Sequence, residues 1–109
     1  MAPGNFLGEF EHALLLTILQ LEDTAHAIRI REHLATRAER SVSRGALYAT
    51  LERLVRKGFL TWSVDEAVPG RGGLARRRFE VTPAGLDAVR TSQRIINRLS
   101  DGLEEALRS

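Results

Sequence analysis

Ser43-Arg44-Gly45-Ala46-Leu47-Tyr48-Ala49-Thr50-Leu51-Glu52-Arg53-Leu54-Val55-Arg56-Lys57-Gly58 reads as one helix with both ends marked. Ser43 is the N-cap, because its hydroxyl accepts from the free N–H groups of the first turn. Val42 before it is placed to pack on Leu47 as a hydrophobic staple. Arg56 and Lys57 oppose the negative end of the helix dipole, and Gly58 supplies the left-handed residue that ends the helix. Leu47, Leu51, Leu54 and Val55 recur at three and four and make one buried stripe. The other side carries Arg44, Gly45, Ala49, Glu52, Arg53 and Arg56, with Tyr48 and Thr50 at its borders. A helix apolar on one face and basic on the other fits a DNA major groove. Taken alone it fits a solvated surface at least as well, so its neighbours decide.

Upstream, Phe6 to Leu21 predicts a helix that is apolar nearly all round, which calls for burial on more than one side. Asp23 or Thr24 then caps a second helix from Ala25 to about Glu39, with Ala27, Ile30, Leu34 and Ala38 inward. The short link Arg40-Ser41-Val42 leads into the basic helix, and this spacing is that of a helix-turn-helix. Downstream of Gly58 the apolar period changes from 3.6 to 2. Leu60, Trp62 and Val64 alternate with Thr61, Ser63 and Asp65, and Ala75, Arg77, Phe79 and Val81 alternate with Arg76, Arg78 and Glu80. The two strands flank Ala67-Val68-Pro69-Gly70-Arg71-Gly72-Gly73-Leu74, a turn-rich loop. Three helices followed by such a hairpin make a winged helix.

Thr82 caps a last helix with Pro83 at its first position. The pattern extends to Leu107, about 37 Å if unbroken, with Ser100-Asp101-Gly102 the expected place for a bend. Leu86, Val89, Gln93, Ile96, Ser100, Leu103 and Leu107 form a heptad-like row, and Ala88, Ser92, Ile95, Leu99 and Ala106 a second. Two apolar seams on a terminal helix predict a homodimer, with the first helix assisting. The expected interface is Phe10, Leu14, Leu86, Val89, Ile96, Leu99 and Leu103.

The 109 residues suit a modest core, and a 43% hydrophobic content argues against disorder. The net charge of +2 conceals a polarity: residues 43–78 hold eight basic and three acidic side chains, while the remainder holds eight basic and eleven acidic. A segregated basic surface is the footprint of a polyanion partner. No cysteine is present, so disulfides and thiolate metal sites are excluded, and a cytoplasmic location is expected. No signal peptide or membrane span is expected. His12, His26 and His33 have no metal-ligand spacing, no nucleophile–base pair stands out, and Gly70-Arg71-Gly72-Gly73 lacks the Gly-Lys-Ser/Thr of a phosphate loop. Neither an enzyme nor a bound cofactor is expected.

The order of elements and several short words resemble the PadR family of transcriptional regulators. Ala25-His26-Ala27-Ile28-Arg29-Ile30 is similar to that family's second-helix word, without its tyrosines. Gly45-Ala46-Leu47-Tyr48-Ala49-Thr50-Leu51 followed by Arg53-Leu54 and Lys57-Gly58 is similar to its recognition helix, with Arg44 and Ala49 where prolines are common. Arg76-Arg77-Arg78-Phe79-Glu80-Val81-Thr82-Pro83-Ala84-Gly85 resembles its basic strand and following helix start. The resemblance implies a bacterial homodimer gripping double-stranded operator DNA, its last helices crossing at the centre, and repression relieved by a small-molecule effector. Relatives that stack flat drugs use a tryptophan on the last helix, whereas the one Trp here is Trp62.

The resulting expectation is a mainly α chain with a small β-hairpin: a winged helix-turn-helix domain over residues 1–82 and a C-terminal dimerisation helix over 83–109. Ser43, Arg44, Tyr48, Thr50 and Arg53 would face the major groove or its phosphates. Arg71, Arg76 and Arg77 would line the wing. The rival reading is a winged-helix protein-interaction module whose basic face meets an acidic protein partner.

Overall fold

A computed structural model describes residues 7–65 and 76–108. The elements are α1 (Glu9–Leu21), a 3-10 turn (Glu22–Thr24), α2 (Ala27–Arg37), α3 (Arg44–Arg56), β1 (Leu60–Asp65), β2 (Arg76–Val81), α4 (Pro83–Ser100) and α5 (Glu104–Leu107). Phe6, the expected start of the first helix, and the hairpin tip with Arg71 lie outside the described residues.

The helix ends follow local chemistry. Ser43 Oγ accepts from Ala46 N at 3.1 Å, and Thr82 Oγ1 from Gly85 N at 3.0 Å. Each such cap contributes about 1 kcal/mol. Gly58 takes φ +82 just beyond α3, as the pattern predicts. Glu11 Oε1 accepts from Gly8 N at 2.9 Å and satisfies a free donor at the start of α1. The turn after α2 is less comfortable, because Glu39 adopts φ +50, a left-handed conformation that glycine usually fills.

β1 and β2 pair antiparallel, Leu60 opposite Val81 and Asp65 opposite Arg76. An isolated β-bridge at His26 precedes α2 where the sequence predicts helix. Phe79 N donates to Ala25 O at 3.0 Å, and His26 bridges Arg78. Helix α2 therefore starts two residues later than expected, with His26 as its N-cap position. The arrangement is three helices and a two-stranded wing, a winged helix, with α4 folded back on α1 and β2.

The core is Leu14, Leu15, Ile18, Ile30, Leu34, Leu47, Leu51, Leu54 and Phe79, all close to fully buried. Each contributes roughly 1.5–3 kcal/mol of apolar transfer. Ala88 and Val89 close this core from α4. Gly85 permits that approach: a Cβ there would lie 2.3 Å from Phe59 O. Beyond Ser100 the helix breaks at Gly102, φ +85, where the sequence placed the bend.

Burial corrects the interface list. Leu14 (0% exposed) and Val89 (6%) belong to this chain's own core, so neither is available to a second copy. Apolar rows on α1 and α4 are used first by the fold. Ile96 (53%), Leu99 (69%) and Leu103 (48%) remain exposed, as do Leu16 and Leu19 of α1. Phe10 and Leu86 are half-buried.

Candidate nucleic-acid interface

Helix α3 presents the surface that the sequence singles out. Its stripe of Leu47, Leu51 and Leu54 is buried, which turns Arg44, Gly45, Ala49, Arg53 and Arg56 to solvent. Gly45, Ala46 and Ala49 end at Cα or Cβ, so the first two turns are low between Arg44 and Arg53. A Cβ on Gly45 would meet nothing within 4 Å. The Arg44 guanidinium lies 5.7 Å from the centroid of Tyr48, within cation–π range. This places a cation, an aromatic edge and the Ser43 cap at the free N-terminal end of the helix.

Thr50 does not share that face. It is 5% exposed, and its hydroxyl donates to Ala46 O at 3.0 Å. The side chain is buried and its hydroxyl is satisfied locally, so Thr50, against expectation, does not face the groove side. Arg53 is half committed: Nε donates to Glu11 Oε2 at 3.1 Å, while 47% of the side chain stays exposed. Lys57 Nζ donates to the same oxygen at 2.9 Å. Burial raises the Glu11 carboxyl, but hydrogen bonds from Gly8, Lys57 and Arg53 outweigh it and hold the group below its ordinary value.

The wing arginines divide by strand face. Arg76 is exposed and makes no ion pair within 4 Å among the described residues. Arg78 lies 3.7 Å from Asp65, which also takes a 2.5 Å contact from His26 Nε2. The His26 hydrogen bond is the main cause that lowers the Asp65 carboxyl below the usual range. Arg77 turns the other way, toward α3, where its Nη2 lies 2.9 Å from Glu52 Oε1. A free wing arginine was therefore expected at a position that is occupied within the fold. Glu11 and Glu52, the counter-charges of this surface, had no signal in sequence because each is paired with an element far along the chain. Arg31 of α2 was likewise missed; its Nε donates to Val42 O at 3.1 Å and braces the turn before α3.

No group of three or more His, Cys, Asp or Glu side chains is arranged to hold a metal among the described residues. No described helix is long and apolar enough to cross a membrane.

The sequence model of the transcriptional regulator PadR-like family matches residues 15–91. No curated protein matches the chain. Solved structures align with it almost end to end. A PadR-like transcription factor from Bacteroides fragilis has a TM-score of 0.68 and 22% identity, covering 89% of this chain and 88% of that one. A PadR-like transcriptional regulator from Bacillus cereus gives 0.72 and 19%, covering 92% of each chain. A winged-helix DNA-binding protein from STIV gives 0.67 and 13%, covering 89% and 97%. At such identities these structures speak to the fold alone.

Proposed function

The chain belongs to the transcriptional regulator PadR-like family, and from that membership we propose that it is a cytoplasmic, homodimeric repressor that binds double-stranded operator DNA. The observation that carries this reading is the free N-terminal face of α3. Arg44 is exposed there beside the half-buried Tyr48 ring, flanked by small residues that let a groove edge approach. Arg44, Tyr48 and the exposed part of Arg53 would meet base edges and nearby phosphates. Ser43 would cap the helix and reach a phosphate. Arg76 and Arg56 are the solvated cations that would add non-specific attraction. Arg71 lies outside the described residues, and the sequence pattern alone assigns it to the wing.

Residues 83–109 would carry the dimer seam, through Ile96, Leu99 and Leu103 with Leu86 and Phe10 at its margin. A small-molecule effector bound near that seam would relieve repression by changing the spacing of the two α3 helices. Fluorescence anisotropy tests the central reading. The protein is titrated onto a duplex taken from upstream of its own gene and onto a shuffled duplex of equal composition. Tighter binding to the former, weakening steeply with salt, is expected. Equal or absent binding to both rejects the reading and favours the protein-interaction alternative.

A further inference from the structure

Arg77 stands apart from the other wing arginines. Strand alternation puts it on the hairpin face shared by Phe79 and Val81, and that face meets α3. Its guanidinium carbon lies 4.7 Å from the Trp62 ring centroid, 5.1 Å from Phe79 and 5.9 Å from Tyr48. Trp62 and Phe79 are cross-strand partners within the wing. Tyr48 and the ion-pair partner Glu52 are one turn apart on α3. One planar cation thus touches both DNA-facing elements at once. Glu52 Oε1 is buried and takes no aligned hydrogen bond from a described residue, so the Arg77 charge is what balances it. A lysine would keep that charge and lose the flat contact with the rings.

We propose that Arg77 is a positioning residue, which fixes the wing against α3 and so sets sequence discrimination on DNA without touching DNA itself. The proposal rests on the DNA-binding reading above. Its physical content is geometric: base readout by α3 and backbone contact by the wing must be satisfied together, and a hairpin free to tilt spoils the first without abolishing the second. Arg76, exposed on the opposite strand face, supplies the contrast, because its charge is free to act on phosphate directly.

The test compares R77K, R77Q and R76A with wild type, by anisotropy on the upstream and shuffled duplexes across a salt series. In R77Q the ratio of the two affinities is expected to fall about tenfold, with the salt slope unchanged, and R77K is expected not to restore it. In R76A the slope is expected to fall by about 0.9 with the ratio kept. Trp62 is the only tryptophan, so the emission of the DNA-free protein reports the stack directly. It is expected to change in R77K and R77Q and not in R76A. Should R77Q fail to fold, R77K and the pair E52Q and E52Q/R77K decide: the double variant is expected to lose no more discrimination than R77K alone, and an additive loss overturns the proposal. Full restoration by lysine, a slope that falls by about 0.9 in R77Q, or unchanged Trp62 emission also overturns it. A wild type that treats both duplexes alike is a different failure: it rejects the functional reading and the discrimination with it, and the contact is then judged by emission alone.

Discussion

Glu11 Oε2 accepts from Arg53 Nε at 3.1 Å, across 42 positions of sequence, and so ties the first turn of α1 to α3. The same oxygen takes Lys57 Nζ, and the other oxygen closes the cap on Gly8. A carboxylate 6% exposed at the residue level is thereby fully partnered. Replacing it by Gln removes the charge from three hydrogen bonds and is expected to cost about 1–3 kcal/mol in urea unfolding.

Its acid dependence has a definite sign. The folded pKa of Glu11 lies below the ordinary 4.5. A lowered carboxylate stabilises the fold fully above its unfolded pKa, and this contribution is lost as pH falls through the folded value. The stability gap between wild type and E11Q is therefore expected to be flat from about pH 8 to 5.5 and to shrink below about pH 4.5. A gap that widens in acid would contradict the assignment.

Glu39 offers a gain of stability. It holds φ +50 in the turn between α2 and α3 and is exposed. A left-handed conformation costs an L-residue roughly 1–2 kcal/mol, part of which glycine gives back through its freer unfolded chain. E39G is expected to raise stability by about 0.5–1 kcal/mol and to leave DNA affinity unchanged, as read by thermal melting and anisotropy. By contrast, G85A forces a Cβ against Phe59 O and is expected to lower stability by more than about 2 kcal/mol, because the clash is with backbone.

What the sequence reveals and what it hides follow one division. The Ser43 and Thr82 caps and the Gly58 stop are local events, decided within one turn, and all are legible. The bridge of Ala25 and His26 to β2 is not, because two residues are too few to show a period and their partners Arg78 and Phe79 lie over fifty positions away. Thr50 misleads because a polar label conceals a side chain that is buried and a hydroxyl that bonds one turn back. Leu14 and Val89 mislead for the opposite reason: an apolar row announces burial without saying which surface does the burying. Alternation correctly turns Arg77 from Arg76 and Arg78, yet nothing in the strand pattern names Tyr48, Trp62 and Glu52 as its surroundings.

The proposed dimer has a direct test. Ile96 and Leu99 are 53% and 69% exposed on the outer side of α4, and Leu103 continues past the break at Gly102. Covering them in a second copy gains roughly 1.5–3 kcal/mol for each side chain fully buried. Wild type is expected to sediment as a dimer at micromolar concentration, and I96D as a monomer with an unchanged circular dichroism spectrum, since Ile96 is not part of the core. A monomeric wild type would remove the seam.

Arg44 is the residue on which the proposed base reading would depend. It is the first residue of α3, where a cation opposes the helix dipole at a cost of a few tenths of a kcal/mol. No acidic side chain pairs with it among the described residues; only the Tyr48 ring lies within reach. The fold therefore gains little from this arginine, and a DNA partner is what would compensate the dipole cost. R44A is expected to leave the melting temperature unchanged or slightly higher. If Arg44 forks onto a guanine edge, the upstream duplex is expected to lose about 1–3 kcal/mol of affinity while the shuffled duplex loses much less. A loss equal on both duplexes would assign Arg44 to phosphate instead, and it would then appear as a drop of about 0.9 in the salt slope. Affinity untouched on both duplexes would mean that the free face of α3 is not the reading surface.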